Sequence, residues 1–143
     1  RLEAGLCLYG HDIDEETSPA EADLLWSIPK RRREAADFPG AERLSRELES
    51  GVERLRVGIQ PEGRAPAREG TDICDAKTGK VIGHVSSGGF APSLKAPIAM
   101  GYVDAPHHIV GNSIHLLVRG KAMPATIVET PFVCQNYVSS KKA

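Results

Sequence analysis

The sequence predicts an α+β protein, with a mainly helical segment over residues 1–50 and a small β domain over residues 51–143. Three observations lead to this prediction. The first third carries helix-capping residues and helical spacing of apolar residues, the pattern changes to period-2 alternation near residue 50, and turn residues then recur at short intervals. Five or six short strands at this spacing favour a small barrel or sandwich.

The first helix is predicted to begin at Ser18, because SPAE at residues 18–21 forms a capping box with proline at the first helical position. Leu24, Leu25 and Ile28 would form its apolar face, and Pro29 would end or kink it by removing a backbone donor. Trp26 would lie near the helix end.

A second helix is predicted over residues 41–49. Leu44 and Leu48, and likewise Arg43 and Glu47, are spaced four residues apart and would meet on the helix surface. Gly51 suits the left-handed residue that follows many helices. We expect a half-exposed surface helix.

The β domain is predicted to begin with a strand in which Leu55, Val57 and Ile59 form one buried face. Residues 73–75 and 81–85 would form a hairpin around the turn at residues 77–79. Residues 87–89 and Pro92 suggest a loop, and residues 98–103 suggest a further strand. Residues 114–119 and 125–128 would form a last hairpin that turns near Gly120.

Composition narrows the classes of function. Hydrophobic residues make up 41% and charged residues 26% of the 143 residues, as in ordinary soluble domains, and no apolar run approaches the length of a bilayer span. The net charge of −1 supplies no general attraction for nucleic acid or anionic membranes. We therefore expect a compact, monomeric protein that handles small molecules and has no nucleic-acid or membrane partners.

The charged runs have ordinary interpretations. The acidic residues 12–16 lack the glycine and glutamate positions of a calcium loop and predict a solvated turn. The basic residues 30–33 predict a solvated face, with an acidic protein partner as the alternative. Adjacent His107 and His108 on an extended segment point apart, so no metal site is expected. The three cysteines show no pairing pattern and are expected to be reduced thiols.

Eight runs in order along the chain resemble the glycine cleavage T-protein family. They are RLEAGLCLYGHDID at 1–14, DFPG at 37–40, RVG at 56–58, GHVSSG at 83–88, PSL at 92–94, IAMGYV at 98–103, RGK at 119–121 and PFV at 131–133. The resemblance implies a three-domain aminomethyltransferase that takes an aminomethyl group from the lipoyl arm of the H-protein. Its carbon passes to tetrahydrofolate, and ammonia is released.

In that family, residues matching 1–50 close the folate-binding domain and those matching 51–143 form a six-stranded Greek-key β-barrel. The catalytic carboxylate would lie upstream of Arg1, so this chain is expected to be an inactive fragment of the enzyme. The bacterial cytoplasm and the mitochondrial matrix both fit the pathway.

The resemblance implies three folate-contacting residues, each with a structural alternative. Tyr137 matches a tyrosine that contacts folate, or it packs on the domain surface. Trp26 matches a tryptophan at the folate cavity, where its ring would stack on the ligand, or it is a core residue. Arg56 matches an arginine of the first barrel strand that steadies the site, or it pairs structurally with a carboxylate.

Two other functions share this fold. One is a non-catalytic folate-binding accessory protein, although the Lys-Gly-Cys-Tyr/Phe segment usual in such proteins is absent from this sequence. The other is the C-terminal domain of a folate-dependent demethylase or oxidase, which a fused flavin domain would indicate.

Overall fold

The computed structural model describes residues 1–133. The helical elements are a 3-10 helix Leu25–Ser27, α1 Lys30–Ala35 and α2 Ala41–Ser50. The strands are β1 Arg54–Pro61, β2 Asp72–Asp75, β3 Val81–Ala91, β4 Ala96–Asp104, β5 Ser113–Val118 and β6 Lys121–Val128. None of the helices within these residues is long and apolar enough to cross a membrane.

The six strands close into an antiparallel barrel in the order β1-β4-β3-β2-β5-β6, with β6 returning to β1. Strands β2, β3 and β4 follow one another as neighbours, and β1 lies beside β4, which is Greek-key topology. The barrel prediction is therefore confirmed, and the sandwich alternative is wrong. Closure leaves no edge of the sheet unpaired.

The barrel interior is filled by branched apolar side chains. Ile59, Ile73, Ile114, Leu116 and Ile127 are fully buried and belong to one core cluster. These residues come from β1, β2, β5 and β6. They lie on the faces of these strands that point into the barrel, as period-2 patterning predicts.

The outer face of β1 is also buried, which corrects the prediction of a strand with one solvent-exposed face. Arg56 is 5% exposed, and Gly58 lies beneath the carbonyl of Val128 and the side chain of Thr130. The N-terminal segment, residues 1–24, and the residues that follow β6 therefore cover this side of the barrel. Alternation within a strand does not reveal such a second layer.

The capping box at Ser18 forms as predicted, but the helix does not continue. The Ser18 N–H donates to the Glu21 carboxylate at 3.0 Å, and the Glu21 N–H donates to the Ser18 hydroxyl at 3.1 Å. Asp23 then adopts φ of 57°, and the Leu24 N–H donates to the Pro19 carbonyl at 2.8 Å. This bonding is typical of a helix C-terminus and closes the turn.

The predicted helix to Pro29 is thus one turn followed by the 3-10 helix. The prediction of α2 is confirmed: Leu44 is buried, and Gly51 follows the helix with φ of 82°. Leu48 stays 44% exposed, in agreement with a surface helix. The basic residues 30–33 lie in α1, which has no buried residue.

Both predicted hairpins form, but the predicted loop at residues 87–89 is wrong. Strand β3 continues through these residues to Ala91 after a register shift between Val85 and Ser87. Gly88 is needed for space, since a side chain there would overlap the carbonyl of Ala67. Gly88 therefore allows the backbone at Ala67 to pack directly against β3.

Candidate functional site

Trp26 and Arg56, two of the three predicted site residues, line the same cavity. The cavity measures about 460 Å³ and lies between the N-terminal segment, the 3-10 helix and the outer face of β1. Ala4, Gly5 and Leu6 form another part of its wall. A space of this size is within the usual range for small-molecule sites.

Arg56 fixes the N-terminal segment to the barrel. Its Nε donates to the Ala22 carbonyl at 2.8 Å, and its Nη1 donates to the Gly5 carbonyl at 3.0 Å. Its backbone N–H donates to the Glu21 carbonyl at 2.8 Å. Within residues 1–133 Arg56 forms no ion pair, so the predicted pairing with a carboxylate is wrong. Carbonyl oxygens hold the guanidinium at the cavity wall.

Trp26 presents its indole to solvent. It is the central residue of the 3-10 helix and is 78% exposed, so the alternative of a core tryptophan is wrong for the described part of the chain. The Ser27 hydroxyl stabilises this short helix by donating to the Leu24 carbonyl at 2.6 Å. The ring is therefore open to solvent beside the cavity.

Tyr137, the third predicted residue, lies outside the described residues. The segment before it does reach the cavity, where Thr130 and Pro131 form part of the wall. The Phe132 N–H donates to the Glu3 carbonyl at 2.9 Å, which ties this segment to the N-terminal segment.

Asp12 was missed by sequence reasoning. The acidic run was predicted to be a solvated turn, but the Asp12 side chain is fully buried and pairs with Arg1 at 2.9 Å. The hydroxyls of Ser86 and Ser87 on β3 also donate to it. The local sequence gave no signal of this burial, because Ser86 and Ser87 lie 74 and 75 residues along the chain from Asp12.

A second, polar cavity of about 440 Å³ lies where the acidic turn meets β3 and β4. His11 pairs with Glu69 at 2.5 Å beside it, and Tyr102 donates its hydroxyl to the Asp12 carbonyl. Burial raises the pKa of the Tyr102 hydroxyl far above its ordinary value, so it stays protonated as a donor. In the described region, no group of three or more His, Cys, Asp or Glu side chains is placed to hold a metal.

Comparison with known proteins places the barrel in a family. The family model described as the glycine cleavage T-protein C-terminal barrel domain matches residues 54–133, more than half of the chain. The chain belongs to the glycine cleavage T-protein family.

Relatives within this family match almost the whole chain. The mitochondrial aminomethyltransferase of Dictyostelium discoideum is 47% identical over 96% of the chain and 34% of its own length. The mitochondrial aminomethyltransferase of Homo sapiens is 48% identical over 99% of the chain and likewise 34% of its own length. The chain thus spans about a third of the length of these relatives.

A solved T-protein has the same fold. The crystal structure of the glycine cleavage system aminomethyltransferase T from Bartonella henselae superposes with a TM-score of 0.92 at 44% identity. The match covers 97% of this chain and 38% of that protein. Both the N-terminal segment and the barrel therefore occur together in a known aminomethyltransferase.

Proposed function

We propose that the chain serves as the C-terminal part of a tetrahydrofolate-dependent aminomethyltransferase. The reaction would take the aminomethyl group from the lipoylated H-protein, release ammonia and form 5,10-methylenetetrahydrofolate. The observation that carries this proposal is the cavity in which exposed Trp26 and buried Arg56 meet, in a chain of the T-protein family.

The cavity fits the needs of this transfer. Two folate nitrogens each form a bond to the methylene carbon as its carbon–sulfur and carbon–nitrogen bonds break. The two N–H protons pass to the leaving sulfur and nitrogen, which gives the reduced lipoyl arm and ammonia. Positioning and exclusion of water supply much of the rate in such a reaction. A flat ring such as Trp26 and a rigid wall fixed by Arg56 would provide that positioning, with Tyr137 as a further folate contact.

The remaining assignments belong to the same proposal. Residues 1–50 would close a folate-binding domain and residues 51–143 would form the barrel domain. Tetrahydrofolate is the co-substrate and the lipoylated H-protein is the protein partner, with the protein acting as a monomer. The location would be the mitochondrial matrix in a eukaryote, as the names of the relatives indicate for them, and the cytoplasm in a bacterium.

The test is an assay of the complete gene product with aminomethylated H-protein. We expect ammonia release that depends on tetrahydrofolate, with a stoichiometric gain of methylenetetrahydrofolate. The 143-residue chain alone, assayed in parallel, should give no turnover, because the catalytic carboxylate is expected from the rest of the enzyme.

A folded gene product that binds tetrahydrofolate without turnover would contradict the transferase proposal and favour the accessory protein. Folate-dependent demethylation of a methylated amine in place of ammonia release would favour the demethylase or oxidase. Omission of the H-protein is the control, since the aminomethyl group then has no donor.

A further inference from the structure

The carboxylate of Asp12 is buried at the junction between the N-terminal segment and the barrel. Its Oδ2 accepts from the Leu8 N–H at 2.9 Å, from Arg1 Nη1 at 2.9 Å and from the Ser87 hydroxyl at 2.7 Å. Its Oδ1 accepts from the Ser86 hydroxyl at 2.5 Å. Every oxygen of this side chain is therefore used within the protein.

The donors come from both sides of the junction. Arg1 and Leu8 belong to the N-terminal segment, whereas Ser86 and Ser87 belong to β3. Because one carboxylate accepts from all four, it fixes the two parts of the chain in one relative position.

The residues between Arg1 and Leu8 include Ala4, Gly5 and Leu6, which form part of the cavity wall. Arg1 holds this loop from a second point, since its Nη1 also donates to the Leu6 carbonyl at 2.9 Å. The bonds of Asp12 therefore set where the loop stands relative to the indole and guanidinium on the other walls.

We infer that Asp12 is a positioning residue for the folate cavity, acting through the loop of residues 2–7. This inference rests on the proposed function. Asp12 itself does not line the cavity with Trp26 and Arg56; it acts by keeping Ala4, Gly5 and Leu6 in place. A displacement of a cavity wall by about 1 Å is enough to lower the efficiency of an enzyme about 100-fold.

The chemistry of the site demands a carboxylate. All four partners approach as donors, and an ionised carboxylate is an acceptor at both oxygens. Asparagine has nearly the same shape but carries no negative charge opposite Arg1, and its NH₂ group takes the place of one acceptor oxygen. Asp12→Asn would therefore loosen the loop with little change in volume.

The test measures Asp12→Asn in the complete gene product, with Asp14→Asn as the matched control. Asp14 lies two residues on, and among residues 1–133 its carboxylate accepts from Glu16 and Thr17 of its own turn. We expect the KM for tetrahydrofolate to rise about tenfold or more in Asp12→Asn, in line with wall displacement. The KM for aminomethylated H-protein should stay within about twofold, because the loop lines the cavity proposed for folate.

A purely structural role predicts a different result. Partial unfolding would lower the concentration of active enzyme and leave the KM for tetrahydrofolate unchanged, and this outcome would overturn the inference. Ser87→Ala is the milder variant if Asp12→Asn does not fold: it removes one donor and should raise the same KM about twofold to threefold. An unchanged KM in Ser87→Ala would likewise overturn the inference.

The unaltered gene product separates this inference from the proposed function. No folate-dependent turnover in the unaltered protein overturns both. Normal turnover with an unchanged KM for tetrahydrofolate in the variants overturns the role of Asp12 alone.

Discussion

Trp26 is 78% exposed, more than any other large hydrophobic residue within residues 1–133. Tryptophan is costly to leave in water, because its ring is a large apolar surface. Because the ring stands beside the cavity on a short helix held by Ser27, we propose that folate covers it in the complete protein.

Replacement of Trp26 by alanine should weaken tetrahydrofolate binding to the complete gene product about threefold to tenfold, the usual value of an aromatic stacking contact. Trp26→Phe should weaken it less, since a smaller ring remains. The measurement is a calorimetric titration. Phe90→Ala is the control, because Phe90 is also exposed, at 52%, but lies on β3 away from the cavity.

Equal affinity of Trp26→Ala and the unaltered protein would remove Trp26 from the folate site. The free energy of unfolding should change by less than about 0.5 kcal/mol, as expected for an exposed side chain. A larger loss would indicate that the indole packs against the protein.

Among the elements, β3 depends most on the absence of side chains. Gly88 lies directly against the Ala67 carbonyl of the connection between β1 and β2, whereas the next residue, Gly89, has only the Leu2 side chain nearby, at 3.8 Å from a built Cβ. Two adjacent glycines in one strand thus differ sharply in the space around them.

Gly88→Ala should destabilise the protein by about 2–4 kcal/mol, because the new methyl group must displace backbone that packs against the strand. Urea denaturation of the 143-residue chain measures this. Gly89→Ala is the matched control and should change the free energy of unfolding by less than about 1 kcal/mol, since its Cβ would make only ordinary contact. Equal effects at the two positions would contradict the account.

At the scale of the whole molecule, Glu21 joins three parts of the chain. Its carboxylate accepts from the Ser18 N–H of its own turn, from Arg43 of α2 at 2.6 Å and from Arg54 of β1 at 2.7 Å. Burial acts to raise the pKa of this carboxyl, but the hydrogen bonds from Ser18 and Arg54 outweigh it, so the pKa lies below its ordinary value.

The lowered pKa predicts a pH-dependent contribution to stability. The ionised form is favoured in the folded state, so the contribution is complete above the pKa of the unfolded carboxyl, about 4.3, and is lost as the pH falls through the folded value. Glu21→Gln should therefore cost about 1–2 kcal/mol at pH 7, a figure that allows for the partial exposure of both arginines.

The difference between Glu21→Gln and the unaltered chain should shrink as the pH falls below about 4.3 and vanish once it is below the lowered pKa of folded Glu21, where both side chains are neutral. Thermal unfolding over this pH range tests it. Glu49→Gln serves as the control, because Glu49 is exposed on α2. A constant difference at all pH values would show that the loss comes from packing and not from charge.

The local features of this fold were readable in the sequence because each depends on neighbours along the chain. The capping box at Ser18, the glycine after α2 and the turn at Gly120 use only residues a few positions apart. The inward isoleucines follow the period of the strand. The family resemblance supplied Trp26 and Arg56 as site residues; pattern alone did not identify them.

Tertiary structure decided what these local features are used for. The prediction of a long first helix was wrong because Asp23 takes a left-handed conformation that ends the helix after one turn. The burial of Arg56 and Asp12 depends on contacts such as that of Asp12 with Ser86, which lie 74 residues apart in the chain. The period-2 pattern of a strand indicates one buried face. It cannot indicate that a segment distant in sequence, such as the N-terminal segment, packs against the other face.

The sequence by itself determined most of the strands and turns, but not the continuation of β3 through residues 87–89, and it determined the membership of the chain in the glycine cleavage T-protein family. Only the folded chain determined that the N-terminal segment covers β1, that Arg56 holds it through carbonyl oxygens, and that Trp26 remains exposed at the resulting cavity. The physical reason is that turns and strand faces follow from short-range geometry, whereas a cavity exists only where segments distant in sequence meet.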